Sequence, residues 1–117
     1  MNSLEARKKT ITNIHESEFK FVIVSSGGGS NAIGSFLKVP GASNSILEAY
    51  IPYAKESLDF YLMKKPESYC SLDTTTRMAA RAYSAAKKID QKTNIEQLFG
   101  VATVSYTHLT LPTTLVV

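Results

Sequence analysis

The sequence predicts an α/β domain in which strands and helices alternate along the chain. Two observations carry that prediction. Phe19 to Ser25 is a nearly unbroken run of bulky apolar residues of strand length that leads into Gly27-Gly28-Gly29. The stretches around it carry apolar residues at helical spacing, so strand and helix signals take turns. A strand that is apolar at successive positions is covered on both faces, and in a small domain that means helices above and below one sheet.

Composition narrows the class. With 117 residues there is room for one domain and a core. The net charge of +3 is small, and the basic pairs Lys8-Lys9, Lys64-Lys65 and Lys87-Lys88 are scattered among acids. No basic face for nucleic acid is therefore expected. The single cysteine, Cys70, cannot form an internal disulfide, which points to a reducing compartment, and no nearby histidine supports it as a nucleophile. No apolar run approaches membrane-spanning length and the N-terminus lacks a basic-then-apolar leader. The expectation is a cytoplasmic chain with no membrane partner, no metal site and no cofactor.

The elements follow in order. Leu4, Ile11 and Ile14 recur at helical spacing, predicting a helix over 4–15 with Ser3 as its cap and His15 at its end, where a cation meets the helix dipole favourably. The strand over 19–25 follows and the glycines end it. From Ser30 a helix carries Ala32, Ile33, Phe36 and Leu37 on one face and stops before Val39-Pro40-Gly41. Ser43 caps a short turn through Ile46 and Leu47. Residues 49–53 have strand composition, with Pro52 confining them to an edge or a strand end. A helix over 55–64 shows Leu58, Tyr61 and Leu62 on one face. Ser71 then caps a long helix to Lys88, with Asp73 in its first turn and Met78, Ala79, Ala82, Ala85, Ala86 and Ile89 as its apolar stripe. A last strand begins at Phe99.

The tail needs separate treatment. The stretch from Val104 to Thr114 resembles one reading frame of a transposase-type sequencing adapter, residue for residue over ten consecutive positions. Residues 1–103 are accordingly read as the N-terminal part of the domain and 104–117 as an adapter-derived, non-native tail. On this reading His108 drops out as a ligand or base and His15 is the remaining histidine. The tail alternates β-branched and apolar residues, so it can form a strand whatever its origin.

The glycine loop is where chemistry is expected. Ser25-Ser26-Gly27-Gly28-Gly29-Ser30, followed by Asn31, has neither the Gly-Lys-Ser/Thr ending of a P-loop nor the dinucleotide glycine spacing. Glycines still let the backbone approach a ligand, and hydroxyls beside helix N-terminal N–H groups suit a phosphate or carboxylate. A ligand-free tight turn is the plain alternative. A serine at such a turn can also act as a nucleophile if a base lies within reach.

Taken together, the loop, Val39-Pro40-Gly41-Ala42-Ser43, Tyr53 and the Ser71 helix resemble the C-terminal domain of the competence/damage-inducible protein CinA, a family that includes nicotinamide mononucleotide amidohydrolases. Its pattern runs Glu-Ser-Cys-Thr-Gly-Gly, a helix, Val-Pro-Gly-Ser-Ser, Tyr-Ser-Asn-Glu-Ala-Lys and a Val-Ser-Glu-Glu helix start. Aligned without gaps on Val39-Pro40-Gly41, this chain reads Ser25 to Ser30, then Tyr53-Ala54-Lys55-Glu56-Ser57-Leu58, then Cys70-Ser71-Leu72-Asp73. The resemblance spans residues 19–89 and implies a layered α/β/α sandwich, incomplete at its C-terminus.

It also implies roles. The family's serine nucleophile falls on Ser26 and its tyrosine on Tyr53. Its lysine base falls on Leu58, and the glutamate before the serine is replaced by Ser25. Lys55, one helical turn earlier, is the substitute base. The binding residues implied are Ser25, Gly27, Gly28, Gly29, Ser30 and Asn31. The expected function is a catalytically impaired nucleotide-binding domain whose partner is a small pyridine nucleotide. The alternatives are an active amidohydrolase using Ser26, Tyr53 and Lys55, or an accessory domain fused to a nucleotidylyltransferase. A homo-oligomer is also left open.

Overall fold

The computed structural model describes residues 2–26, 30–68, 71–104 and 107–111, with Ser30 and 107–111 described by backbone path alone. The elements are α1 (Ser3–Glu16), β1 (Lys20–Ser26), α2 (Ser30–Lys38), β2 (Ile46–Tyr50), α3 (Lys55–Leu62), α4 (Leu72–Ile89), β3 (Leu98–Val104) and β4 (Thr107–Leu111). The fold is α/β, as expected. Strand order is β2-β1-β3-β4, with β1 parallel to β2 and β3, and β4 antiparallel along β3. No helix among the described residues is long and apolar enough to cross a membrane.

The apolar run of β1 sits in the middle of this sheet. Successive strand side chains point to opposite faces, so Val22 and Val24 join Leu58, Met78, Ala82 and Leu98 in one core cluster. Phe21 and Ile23 join Ile33, with Ile14, Phe36 and Phe99 packed around them, on the other face. The two crossovers out of β1 and β2 therefore lie on opposite sides of the sheet, giving helical layers above and below it.

Several expectations need correction. Asn2, rather than Ser3, caps α1: its side chain accepts from the Glu5 N–H at 2.8 Å, and Ser3 is already inside the first turn. Leu4 is 70% exposed and anchors nothing, while Ile11 is buried. The strand expected over 49–53 is instead Ile46–Tyr50, and the turn expected through Ile46 and Leu47 is a 3₁₀ turn at Ala42–Asn44. Pro52 has no N–H to give a ladder, so it falls beyond the strand end, and the pairing with β1 begins instead at Ile46. Helix α3 stops at Leu62 because Met63 turns left-handed at φ 64°, with its N–H bonded back to Phe60 and that of Lys64 to Asp59.

Helix α4 behaves as its sequence predicts at the start. The Ser71 hydroxyl accepts from the Thr74 N–H at 3.1 Å, and Asp73 pairs with Arg77 one turn on at 2.9 Å. Met78, Ala79, Ala82 and Ala86 are fully buried, whereas Ile89, at the end of the stripe, is 48% exposed. The alanines bring α4 down onto β3 at Gly100. A Cβ there would lie 2.3 Å from the Ala79 carbonyl oxygen and 2.3 Å from the Tyr83 nitrogen, both backbone atoms that cannot swing aside. Gly100 is thus required for helix and sheet to approach this closely.

Gly100→Ala is expected to cost at least about 2 kcal/mol, as a strong overpacking change. Urea unfolding of the wild type and variant measures it; equal midpoints would contradict the close contact.

Candidate functional site

The strand order places one location apart from the rest. From β1 the chain passes through α2 to β2 on one side, and it later enters β3 on the other side. The carboxyl ends of β1 and β3 therefore flank a topological switch point, the position at which open α/β sheets commonly take their ligands. Ser25 and Ser26 end β1 there, in register with Thr103 and Val104 of β3.

The residues at this rim have distinct environments. Ser25 is fully buried and its Oγ accepts a hydrogen bond from Thr103 Oγ1 at 2.9 Å. Its hydroxyl ties the two strands together inside the core, whereas Ser26, the last residue of β1, is only half-buried. Gly27, Gly28 and Gly29, expected as binding residues, lie outside the described residues. Helix α2 starts at Ser30, with Asn31 exposed in its first turn. That turn carries no acidic side chain to offset the positive end of the helix dipole.

Tyr53 and Lys55 sit at the same edge of the sheet, beyond β2. Tyr50, the last residue of that strand, is level with Val24 of β1. Tyr53 follows three positions later and is 79% exposed; Lys55 is the first residue of α3 and is also exposed. Ser26 thus ends β1 at the switch point, while Tyr53 and Lys55 follow the carboxyl end of the neighbouring parallel strand β2. Leu58 has a different fate. It is 2% exposed and packs in the cluster with Val24 and Met78, so a side chain at that position points into the core and away from the rim.

His15 is corrected most. It does lie in the last turn of α1, as expected, but in place of a cation answering the helix dipole it is a buried side chain, 1% exposed. Its Nε2 lies 2.8 Å from the Phe36 carbonyl oxygen, and because a carbonyl can only accept, Nε2 carries the proton. Its Nδ1 lies 2.5 Å from Ser45 Oγ. The turn that supplies Ser45 depends on Gly41, which is left-handed at φ 96° and where an added methyl would crowd His15 Cβ at 3.3 Å. The Val39-Pro40-Gly41 block therefore has a structural role. Val39 is buried, Pro40 ends α2, and Gly41 turns the chain under the imidazole. Since Phe21 N–H donates to the Ser45 carbonyl at 2.8 Å, this clip closes the amino end of the sheet, opposite the rim. The one legible signal for it was glycine after Val-Pro; nothing in the local pattern named its histidine partner.

Among the described residues, no group of three His, Cys, Asp or Glu side chains is arranged to hold a metal ion. Cys70 lies outside the described residues.

Two substitutions separate these roles. His15→Ala leaves the Phe36 carbonyl and the Ser45 hydroxyl facing a cavity and is expected to cost about 2–4 kcal/mol, read by thermal or urea unfolding. Leu58→Lys buries an unpaired ammonium and is expected to lose about 3 kcal/mol or more; a variant as stable as wild type would show that position 58 reaches solvent. Comparison with family models, curated proteins and solved structures finds no match for this chain.

Proposed function

We propose that the chain is a CinA-like module that binds a small nucleotide, a pyridine nucleotide first among them, at the crevice above β1 and β3. The observation that carries this reading is that β1 ends, at Ser25 and Ser26, at the switch point of the sheet, the usual ligand position in open α/β folds. Ser26 and the unopposed first turn of α2 offer a hydroxyl and backbone N–H groups to a phosphate. Burial of Leu58 supports catalytic impairment, because the position that carries the base in the resembled family is part of the core in this chain.

A second reading keeps the rim as an amidohydrolase site. Exposure of Lys55 at the head of α3, one turn before Leu58, favours it. In that reading Lys55 takes the Ser26 proton as Ser26 Oγ attacks the amide carbon and Tyr53 donates to the developing charge; the C–N bond then breaks with Lys55 returning the proton to the departing ammonia, and water hydrolyses the acyl-serine ester to the acid and free Ser26. Tyr53 stands 79% exposed, and such a site would work only with water excluded by a closing ligand. An accessory role beside a nucleotidylyltransferase domain uses the same crevice for binding alone.

Calorimetric titration with nicotinamide mononucleotide is expected to give saturable heat that weakens in Ser26→Ala, with no ammonia released by either protein. Absence of heat at millimolar ligand would overturn the binding proposal. Ammonia release by wild type that disappears in Ser26→Ala and in Lys55→Ala would replace it with the hydrolase reading.

A further inference from the structure

A cleft of about 420 Å³ opens at the β2 edge of the sheet, on the face covered by α3 and α4. Its walls are Tyr50, Ile51, Phe60 and Tyr61, and α4 contributes Arg81 and Lys88. The volume falls in the range of small-molecule pockets.

The cleft exists because β2 contains an extra residue. Phe21 is level with Ile46, but the next pair is Val22 with Glu48, so Leu47 is skipped. Side-by-side residues of neighbouring strands point to the same face, and Val22 and Val24 face α3 and α4. Glu48 and Tyr50, their partners, are therefore turned to that face as well. Without the bulge they would be level with Ile23 and Ser25 and would point the other way. The re-aimed Tyr50 ring meets Tyr61 at 5.5 Å between centroids, tilted by 52°.

Charge and ring are brought together here. The Arg81 guanidinium carbon lies 5.8 Å from the Tyr61 ring centroid, and Lys88 follows two turns further along the same side of α4. Among the described residues no carboxylate lines the cleft; Glu56 and Asp59 border Arg81 in the adjoining groove, past Phe60. The nearby Glu48 carboxylate is engaged by the Tyr50 hydroxyl, a hydrogen bond that raises the tyrosine pKa, and burial raises that of Tyr61. Both rings thus stay neutral at working pH and do not repel an anion. Phe60 and Ile51 meanwhile stand 86% and 53% exposed, an apolar rim without a covering element among the described residues.

We propose that this cleft binds a flat aromatic carboxylate, its ring against Tyr61 and the Phe60–Ile51 rim and its charge on Arg81 and Lys88. Stacking is tolerant of ring identity, and a guanidinium fork matches a carboxylate. The site is independent of the nucleotide crevice and stands or falls separately from it.

Titration of the full chain with 1-naphthoate, followed by ¹H–¹⁵N NMR, tests the proposal. Saturable shifts centred on Tyr61, Arg81 and Lys88 are expected. The uncharged 1-naphthylmethanol should bind about tenfold more weakly, and Arg81→Gln should weaken naphthoate by a similar factor, the usual worth of one charged hydrogen bond. Arg81 is exposed, so the variant is expected to keep the wild-type spectrum elsewhere; Lys88→Gln, also at an exposed position, gives a second reading of the same charge. Equal binding of the acid and the alcohol, unchanged affinity in both variants, shifts centred on the opposite face at Phe19 and Phe99, or no binding at millimolar concentrations would each overturn it.

Discussion

Burial of β1 on both faces is the constraint on which the rest of the molecule depends. Phe21, Val22, Ile23, Val24 and Ser25 are all buried, and the alternate apolar side chains belong to two different clusters. Each such side chain contributes about 1.5–3 kcal/mol when removed from water. A one-residue slip would exchange the two sets and lose both cores, so the register of β1 with its neighbours is strongly specified. That register in turn puts Ser25 and Ser26, the end of β1, beside Thr103 and Val104 at the end of β3. The core and the candidate site are consequences of one strand.

The two ends of the sheet divide the labour. At the amino end, His15 joins Phe36 and Ser45, clipping α1, α2 and the turn before β2 into one unit. At the carboxyl end, hydroxyl groups gather: Ser25 and Thr103 bond to each other inside, and the half-buried Ser26 follows at the strand end. A histidine committed to two buried hydrogen bonds is poorly placed to serve as a base, so catalysis at the rim has only Lys55 to draw on among the residues the sequence singled out. Leu58 fills the core beneath it, with Gly100 letting α4 close over the same layer.

Much of this was legible in the sequence. The doubly buried strand, the helix stop before Val39-Pro40, the Ser71 cap and the alanine stripe of α4 each rest on local pattern, and local pattern is what a sequence displays. The misplaced β2 was a contest between Pro52, which signals an ending, and Tyr50-Ile51, which signals a strand; the ending won and the pairing moved back to Ile46. His15 was misread because its partners are 21 and 30 residues away. The bulge at Leu47 and the collision space at Gly100 are likewise tertiary facts with no local signature. Of the residues singled out for the site, Ser25 turns out to be a core hydroxyl, bonded to Thr103, 78 residues away in the chain.

What distinguishes a ligand crevice from a simple turn is whether an anion seeks the backbone N–H groups at the head of α2. Backbone amide chemical shifts recorded during titration with nicotinamide mononucleotide address this directly. Binding at the switch point predicts saturable shifts concentrated at Ser26, Ser30, Asn31 and Thr103, weakening in parallel as salt is raised. A spectrum unchanged at those positions with ligand at millimolar concentration would contradict it.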